Sequence, residues 1–95
     1  MQNRLDKGSL TYLYEALLTL ETPDQCEAFL EDLCTIQELK ALSQRMQVAK
    51  MLSEQKIYSD IVAQTGASTA TISRVNRCLH YGKDGYKHVL EKLEK

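Results

Sequence analysis

Between Tyr58 and Leu79 the chain reads YSDIVAQTGASTATISRVNRCL, and its second half sets Ser68, Thr69, Ala70, Thr71 and Ser73 close together, with Arg77 one turn beyond. These side chains are short hydroxyls, a methyl and a guanidinium, and none is bulky enough to hold a helix away from a surface on which it docks. Hydroxyls bond base edges directly or through water, a methyl meets the thymine methyl, and a guanidinium neutralises phosphate. The chemistry indicated is recognition of double-stranded DNA. Thr69, Ala70 and Ser73 are placed for base edges, and Ser68, Thr71, Arg77 and nearby lysines for phosphates.

Such a face works only if a helix presents it and something buries the opposite side. Ile72, Val75 and Leu79 recur at i, i+3 and i+7, one apolar stripe, and Ser68 stands where its hydroxyl can cap the helix. A shorter helix should precede it, with Ser59 as N-cap and Ile61 and Val62 on its apolar side. Gly66 falls where a helix ends in a left-handed residue, and Ala67 lets two helices approach closely at the corner. The expected element is a helix-turn-helix over residues 58–79. A plain helical corner that never meets nucleic acid is the competing expectation.

The rest of the chain supplies helices and little else. From Ser9, the residues Leu10, Leu13, Tyr14, Leu17 and Leu18 form a wide apolar stripe on a helix expected to end near Leu20, after a frayed start over residues 1–8. Thr22-Pro23-Asp24-Gln25 restarts the helix, with Thr as cap, Pro at the first helical position and Gln closing a capping box; Cys26, Phe29, Leu30 and Leu33 share a face as far as residue 33. Thr35 to Glu38 forms a second capping box. A longer helix to about Ser53 follows, with Ile36, Leu39, Leu42, Met46, Ala49 and Leu52 as its core stripe. A loop is expected from His80 to Gly85, then a helix over 86–94 with Tyr86, Val89, Leu90 and Leu93 inward. The fold class is all-α: one domain over residues 1–95, with dimerisation helices and a long central helix at 9–56, then the helix-turn-helix and a C-terminal helix.

Charge is distributed unevenly. Residues 1–39 carry two cations against eight anions, a net of −6, whereas residues 40–95 carry ten cations against five anions, a net of +5. The local field within a Debye length of about 8 Å governs phosphate binding, so the basic half can dock although the whole chain is slightly acidic. The leucine-rich first helices exceed what a chain of 95 residues can cover by itself, so burial against a second copy is expected. No apolar run approaches the length of a membrane span and Met1 precedes a polar stretch, so a cytoplasmic protein is expected.

Cys26, Cys34 and Cys78 form no CxxC pair and no histidine stands at ligand spacing, so no metal site is expected. His80 and His88 have no carboxylate or nucleophile at a telling distance. Nothing assembles a catalytic group, and the chain is not expected to be an enzyme.

The runs LCTIQELKALSQR, MLSEQ and TGASTATISR, with GA-x-x-ATI-[ST]-R at their heart, resemble the Trp repressor family. The resemblance covers roughly Leu30 to Leu79 and extends to the order of six helices. It implies an intertwined dimer in which two recognition helices enter successive major grooves of a palindromic operator. It further implies a corepressor pocket in which Arg45 and Arg74 match the two ligand arginines and Thr35 the threonine that opens the long helix. Cys78 stands where the family has a serine for the ligand's ammonium group, Asp32 where it has a pocket leucine, and Ser59 where it has an arginine that helps bind DNA. A small carboxylate-bearing corepressor suits the two arginines, and tryptophan is expected to bind weakly or not at all. The expected function is thus a dimeric, sequence-specific transcription repressor. The alternative is a protein-interaction module that keeps the helix-turn-helix shape and binds its partner through the acidic N-terminal half.

Overall fold

The computed structural model describes residues 6–94, and among them it contains six α-helices and no strand. The chain divides into two compact units, Met1–Ile36 and Gln37–Lys95.

In the first unit, α1 spans Lys7–Leu17 and α2 spans Pro23–Leu33. Helix α1 starts two residues earlier than Ser9, because Asp6 caps it. The Asp6 carboxylate accepts from the Ser9 amide at 3.0 Å and from the Ser9 hydroxyl at 2.9 Å. Those bonds, the hydroxyl's first, hold the Asp6 carboxyl below its ordinary value. Of the frayed start expected over residues 1–8, residues 7 and 8 are therefore helical, and residues 1–5 lie outside the described part. The helix also stops at Leu17 rather than Leu20: Thr19 N and Leu20 N reach carbonyls only three residues back, and the Thr19 hydroxyl donates to Ala16 O at 2.7 Å. The restart at Thr22 is as expected. Gln25 N donates to Thr22 Oγ1 at 3.1 Å, and the Gln25 side chain reaches back to the Glu21 amide at 2.7 Å. No residue of α1 or α2 is buried; Leu10, Leu13, Phe29 and Leu30 are half-buried, and Leu18 is 84% exposed.

The second unit holds the core. Helix α3 (Ile36–Ser53) contributes Val48, Ala49 and Met51; α4 (Tyr58–Thr65) contributes Ile61; and α5 (Thr69–Tyr81) contributes Ile72, Val75 and Leu79. Ala67 in the turn and Leu90 of α6 (Gly85–Leu93) complete it, with Met46, Leu52 and Tyr86 packed alongside. Only part of the stripe expected on α3 is inward. Ala49 is buried and Met46 and Leu52 flank the core, but Leu42 is exposed and Ile36 is 71% exposed. The C-terminal half of α3 is apolar on two sides, so helical period alone cannot choose between Val48–Met51 and Ala49–Leu52. On α6, Leu90 and Tyr86 point inward as expected, whereas Val89 is exposed and Leu93 is 70% exposed.

The connection from α3 to α4 ends in a Schellman arrangement. Gln55 takes a left-handed φ of 63°, Lys56 N donates to Met51 O and Gln55 N to Leu52 O, both at 3.0 Å. The chain then enters α4 two residues earlier than a Ser59 cap would have it. Ile57 is the N-cap and makes no side-chain bond, its carbonyl accepting from Asp60 N and Ile61 N, so Ser59 lies inside the helix and does not cap it. His80 and Tyr81 belong to α5 rather than to a loop, and the link to α6 is correspondingly short. Gly82 is required where α5 stops, since a Cβ there would come within 2.4 Å of the Cys78 carbonyl oxygen.

Candidate nucleic-acid interface

The corner between α4 and α5 is built as its residues dictate. Gly66 ends α4 at a φ of 72°, and Ala67 is 1% exposed, leaving no space for a longer side chain. The Thr65 hydroxyl donates to Ile61 O at 2.7 Å and accepts from Ala67 N at 3.1 Å, closing the turn from inside. Gln44 of α3 donates through Nε2 to Thr65 O at 3.1 Å and ties the corner to the long helix. Sequence reasoning missed Gln44, because no local pattern marks a bond across 21 residues.

Helix α5 turns Ile72, Val75 and Leu79 into the core and exposes Thr69, Ala70, Ser73, Arg74 and Arg77 on its remaining surface. Ser68 caps it, accepting from Thr71 N at 3.1 Å. The Ser68 hydroxyl in turn donates to Thr71 Oγ1 at 3.1 Å, which leaves the Thr71 hydroxyl proton free to donate outward. Ser68 is thus occupied in holding the helix start, whereas Thr71, half-buried, keeps a hydroxyl proton that the cap does not use. No aspartate or glutamate occurs among the thirteen residues of α5. Lys87 pairs with Asp84 at 3.8 Å on α6 and its cap, and Arg74, Arg77 and Lys83 have no ion-pair partner among the described residues. A helix face of small neutral groups edged by unpaired cations matches the electrostatics of a phosphate-lined groove.

The candidate ligand residues are less gathered. Arg45 is half-buried on α3, Arg74 is exposed on α5, and Thr35 is exposed in the first unit. Cys78 is exposed and lines an apolar pocket of about 530 Å³ with Met46, Gly82, Lys83, Tyr86 and Val89. Neither arginine lines that pocket. Among the described residues no cluster of histidine, cysteine, aspartate and glutamate is placed to hold a metal. No described helix is long and apolar enough to cross a membrane.

Comparison with known proteins agrees with this geometry. Residues 8–94 match the family described as Trp repressor protein. The uncharacterized protein YerC of Bacillus subtilis (strain 168) is 46% identical over 92 residues, covering 97% of this chain and 88% of its own. A Staphylococcus aureus protein provisionally designated a Trp repressor superposes with a TM-score of 0.91 at 46% identity, over 99% of this chain and 95% of that one. A TrpR-like protein from Eubacterium eligens ATCC 27750 also gives 0.91, at 53% identity over 98% and 96%. The match runs from α1 through α6, at identities well above those that show shape alone. The chain belongs to the Trp repressor family, a family of helix-turn-helix DNA-binding regulators.

Proposed function

We propose that this protein is a sequence-specific transcriptional repressor that acts as a homodimer on a two-fold symmetric operator. The observation that carries the proposal is the exposed face of α5, on which Thr69, Ala70 and Ser73 lie beside Arg77 with no acidic group on the helix. Base edges fall to Thr69, Ala70 and Ser73, and phosphates to Thr71, Arg77 and adjacent lysines, while Ser68, first expected among the phosphate contacts, holds the helix start. The dimer is supported by the first unit, whose helices bury no residue within their own chain and expose Tyr14, Leu17 and Leu33. Two copies would set their recognition helices about 34 Å apart, one turn of B-DNA.

An effector, where one operates, carries a carboxylate and sits between Arg45 and Arg74, relieving the repulsion between two unpaired guanidinium groups and favouring one helix orientation. Tryptophan fits this site poorly, because a thiol at Cys78 is a weak partner for an ammonium group and Asp32 is a poor wall for an indole.

Selection of bound sequences from a random duplex pool, with and without amino-acid effectors, tests the proposal. A two-fold symmetric consensus is expected, and Thr69→Ala or Ser73→Ala should relax one half-site position by ~1–3 kcal/mol. Arg77→Ala should weaken all sequences alike and flatten the salt dependence. An unenriched pool, with binding insensitive to salt, would instead favour a protein-interaction module acting through the acidic first unit.

A further inference from the structure

The last turns of three helices meet at one cavity in the second unit. Leu52 lies in the last turn of α3, Leu79 and His80 in that of α5, and Leu90, Glu91 and the cap Glu94 at the end of α6. The cavity has a volume of about 320 Å³, near the lower end of the range for small-molecule sites. Neither Arg45 nor Arg74 lines it, and the residues assigned to base edges lie at the opposite end of α5. The cavity is therefore separate from the effector and DNA sites proposed above.

Its floor and its rim differ in character. Leu79 and Leu90 are buried and Leu52 is half-buried, so the floor is apolar. The rim is negative for two independent reasons. Aligned peptide dipoles leave about half an elementary negative charge at a helix C-terminus, and three such ends converge here. Helix α6 then adds the carboxylates of Glu91 and Glu94, at an end where a helix favours cations. Lys87 stands one turn before Glu91, at a spacing that allows a pair, but faces Asp84 at 3.8 Å instead. Glu91 and Glu94 thus have no ion-pair partner among the described residues. His80 donates from Nδ1 to Asn76 O at 2.9 Å, so the second nitrogen of the neutral ring is one more acceptor. We propose that the cavity binds a small organic cation, a protonated primary amine on an apolar body. Its ammonium group sits between Glu91 and Glu94, and its body lies against Leu52, Leu79 and Leu90. A metal ion is the poorer occupant, because no group of histidine, cysteine, aspartate and glutamate among the described residues is placed to hold one. The bound amine offsets the charge where the three helices end, and so ties the end of α5 to α3 and α6.

Phenethylamine is the probe, titrated into the whole chain while NMR follows the leucine methyl groups. The comparisons are 2-phenylethanol and 3-phenylpropionate, which keep the ring but replace the ammonium by a neutral or a negative group. At millimolar concentration the amine should give saturable shifts at Leu52, Leu79 and Leu90, and the alcohol and the acid much weaker ones. Glu91→Gln and Glu94→Gln preserve shape at exposed positions, and each should weaken amine binding roughly two- to fivefold. Glu27→Gln, in the first unit, should leave it unchanged. Binding of the alcohol as tight as that of the amine would reduce the site to an apolar cavity and overturn the assignment of a cation. Absence of saturable shifts at the three leucines would overturn the site itself. The assignment fails equally if the variant carrying both glutamines binds the amine as the wild type does.

Discussion

In the unit Met1–Ile36, the described side-chain hydrogen bonds join residues three or four positions apart, as between Asp6 and Ser9, Thr22 and Gln25, or Thr19 and Ala16. In the unit Gln37–Lys95, Gln44 reaches Thr65 across 21 residues, and all nine buried apolar side chains among the described residues lie there. The first unit has helices without a core, and the second has a core that fixes its helices. Helix caps contribute about 1 kcal/mol each and cannot by themselves order two short helices, whose isolated stability in water is marginal. What orders the first unit must therefore lie beyond its own residues, and a second copy is the proposed source.

The largest effect should come from breaking that source. Leu13→Asp or Leu30→Asp places a charge on half-buried surface of the first unit, where an uncompensated buried charge costs about 3–5 kcal/mol. If a second copy covers this surface, both variants should lose the dimer and most of their helicity together, as sedimentation and circular dichroism would report. A folded wild-type monomer at micromolar concentration would show instead that the first unit needs no partner.

A smaller effect should separate the two units by size rather than charge. Ile72 is fully buried, so Ile72→Ala should cost ~2–5 kcal/mol through lost burial and the cavity left behind. Leu17 is exposed within the chain, so Leu17→Ala should cost well under ~1 kcal/mol in a monomer. In a dimer that covers it, the loss should approach the value for Ile72. Denaturant titrations of the pair at two protein concentrations distinguish these outcomes.

What could be read from the chain itself follows the same division. The Thr22–Pro23–Gln25 box, the left-handed Gly66 and the Ser68 cap were legible because each is decided within four residues. So were the two sides of α5, whose exposed and buried residues are separated cleanly by helical period. The inward faces of α3 and α6 were not, because the apolar residues Val48, Met51, Val89 and Leu93 fit more than one packing surface. Ile57 displaced Ser59 as the cap because a left-handed Gln55 ends α3 in a way no glycine announces. For the ligand residues, sequence spacing can name Arg45 and Arg74 but cannot say whether they meet, since that depends on how the recognition helix is held.

The smallest expected effect tests whether local bonds alone shape the start of the first unit. Asp6 is exposed, and its lowered carboxyl value comes first from the Ser9 hydroxyl and then from the Ser9 amide, against an opposing effect of desolvation. A carboxylate whose value is lower in the folded than in the unfolded chain stabilises the fold above its unfolded value, and that contribution disappears as pH falls through the folded one. The first turn of α1 should therefore be fully capped at neutral pH, begin to lose its cap below the ordinary carboxylate value of 3.8, and lose it altogether only below the folded value. The Ser9 amide resonance, followed by NMR from pH 7 to pH 2, should report this as a single step with a midpoint under 3.8. Asp6→Asn keeps an acceptor for the Ser9 amide but removes the titrating group, so its resonance should not move through that range. The core of the second unit should be indifferent to both changes, because its buried residues are all apolar. A Ser9 midpoint at or above 3.8 in the wild type would mean that the carboxylate is not bonded as described, and that α1 begins at Ser9 after all.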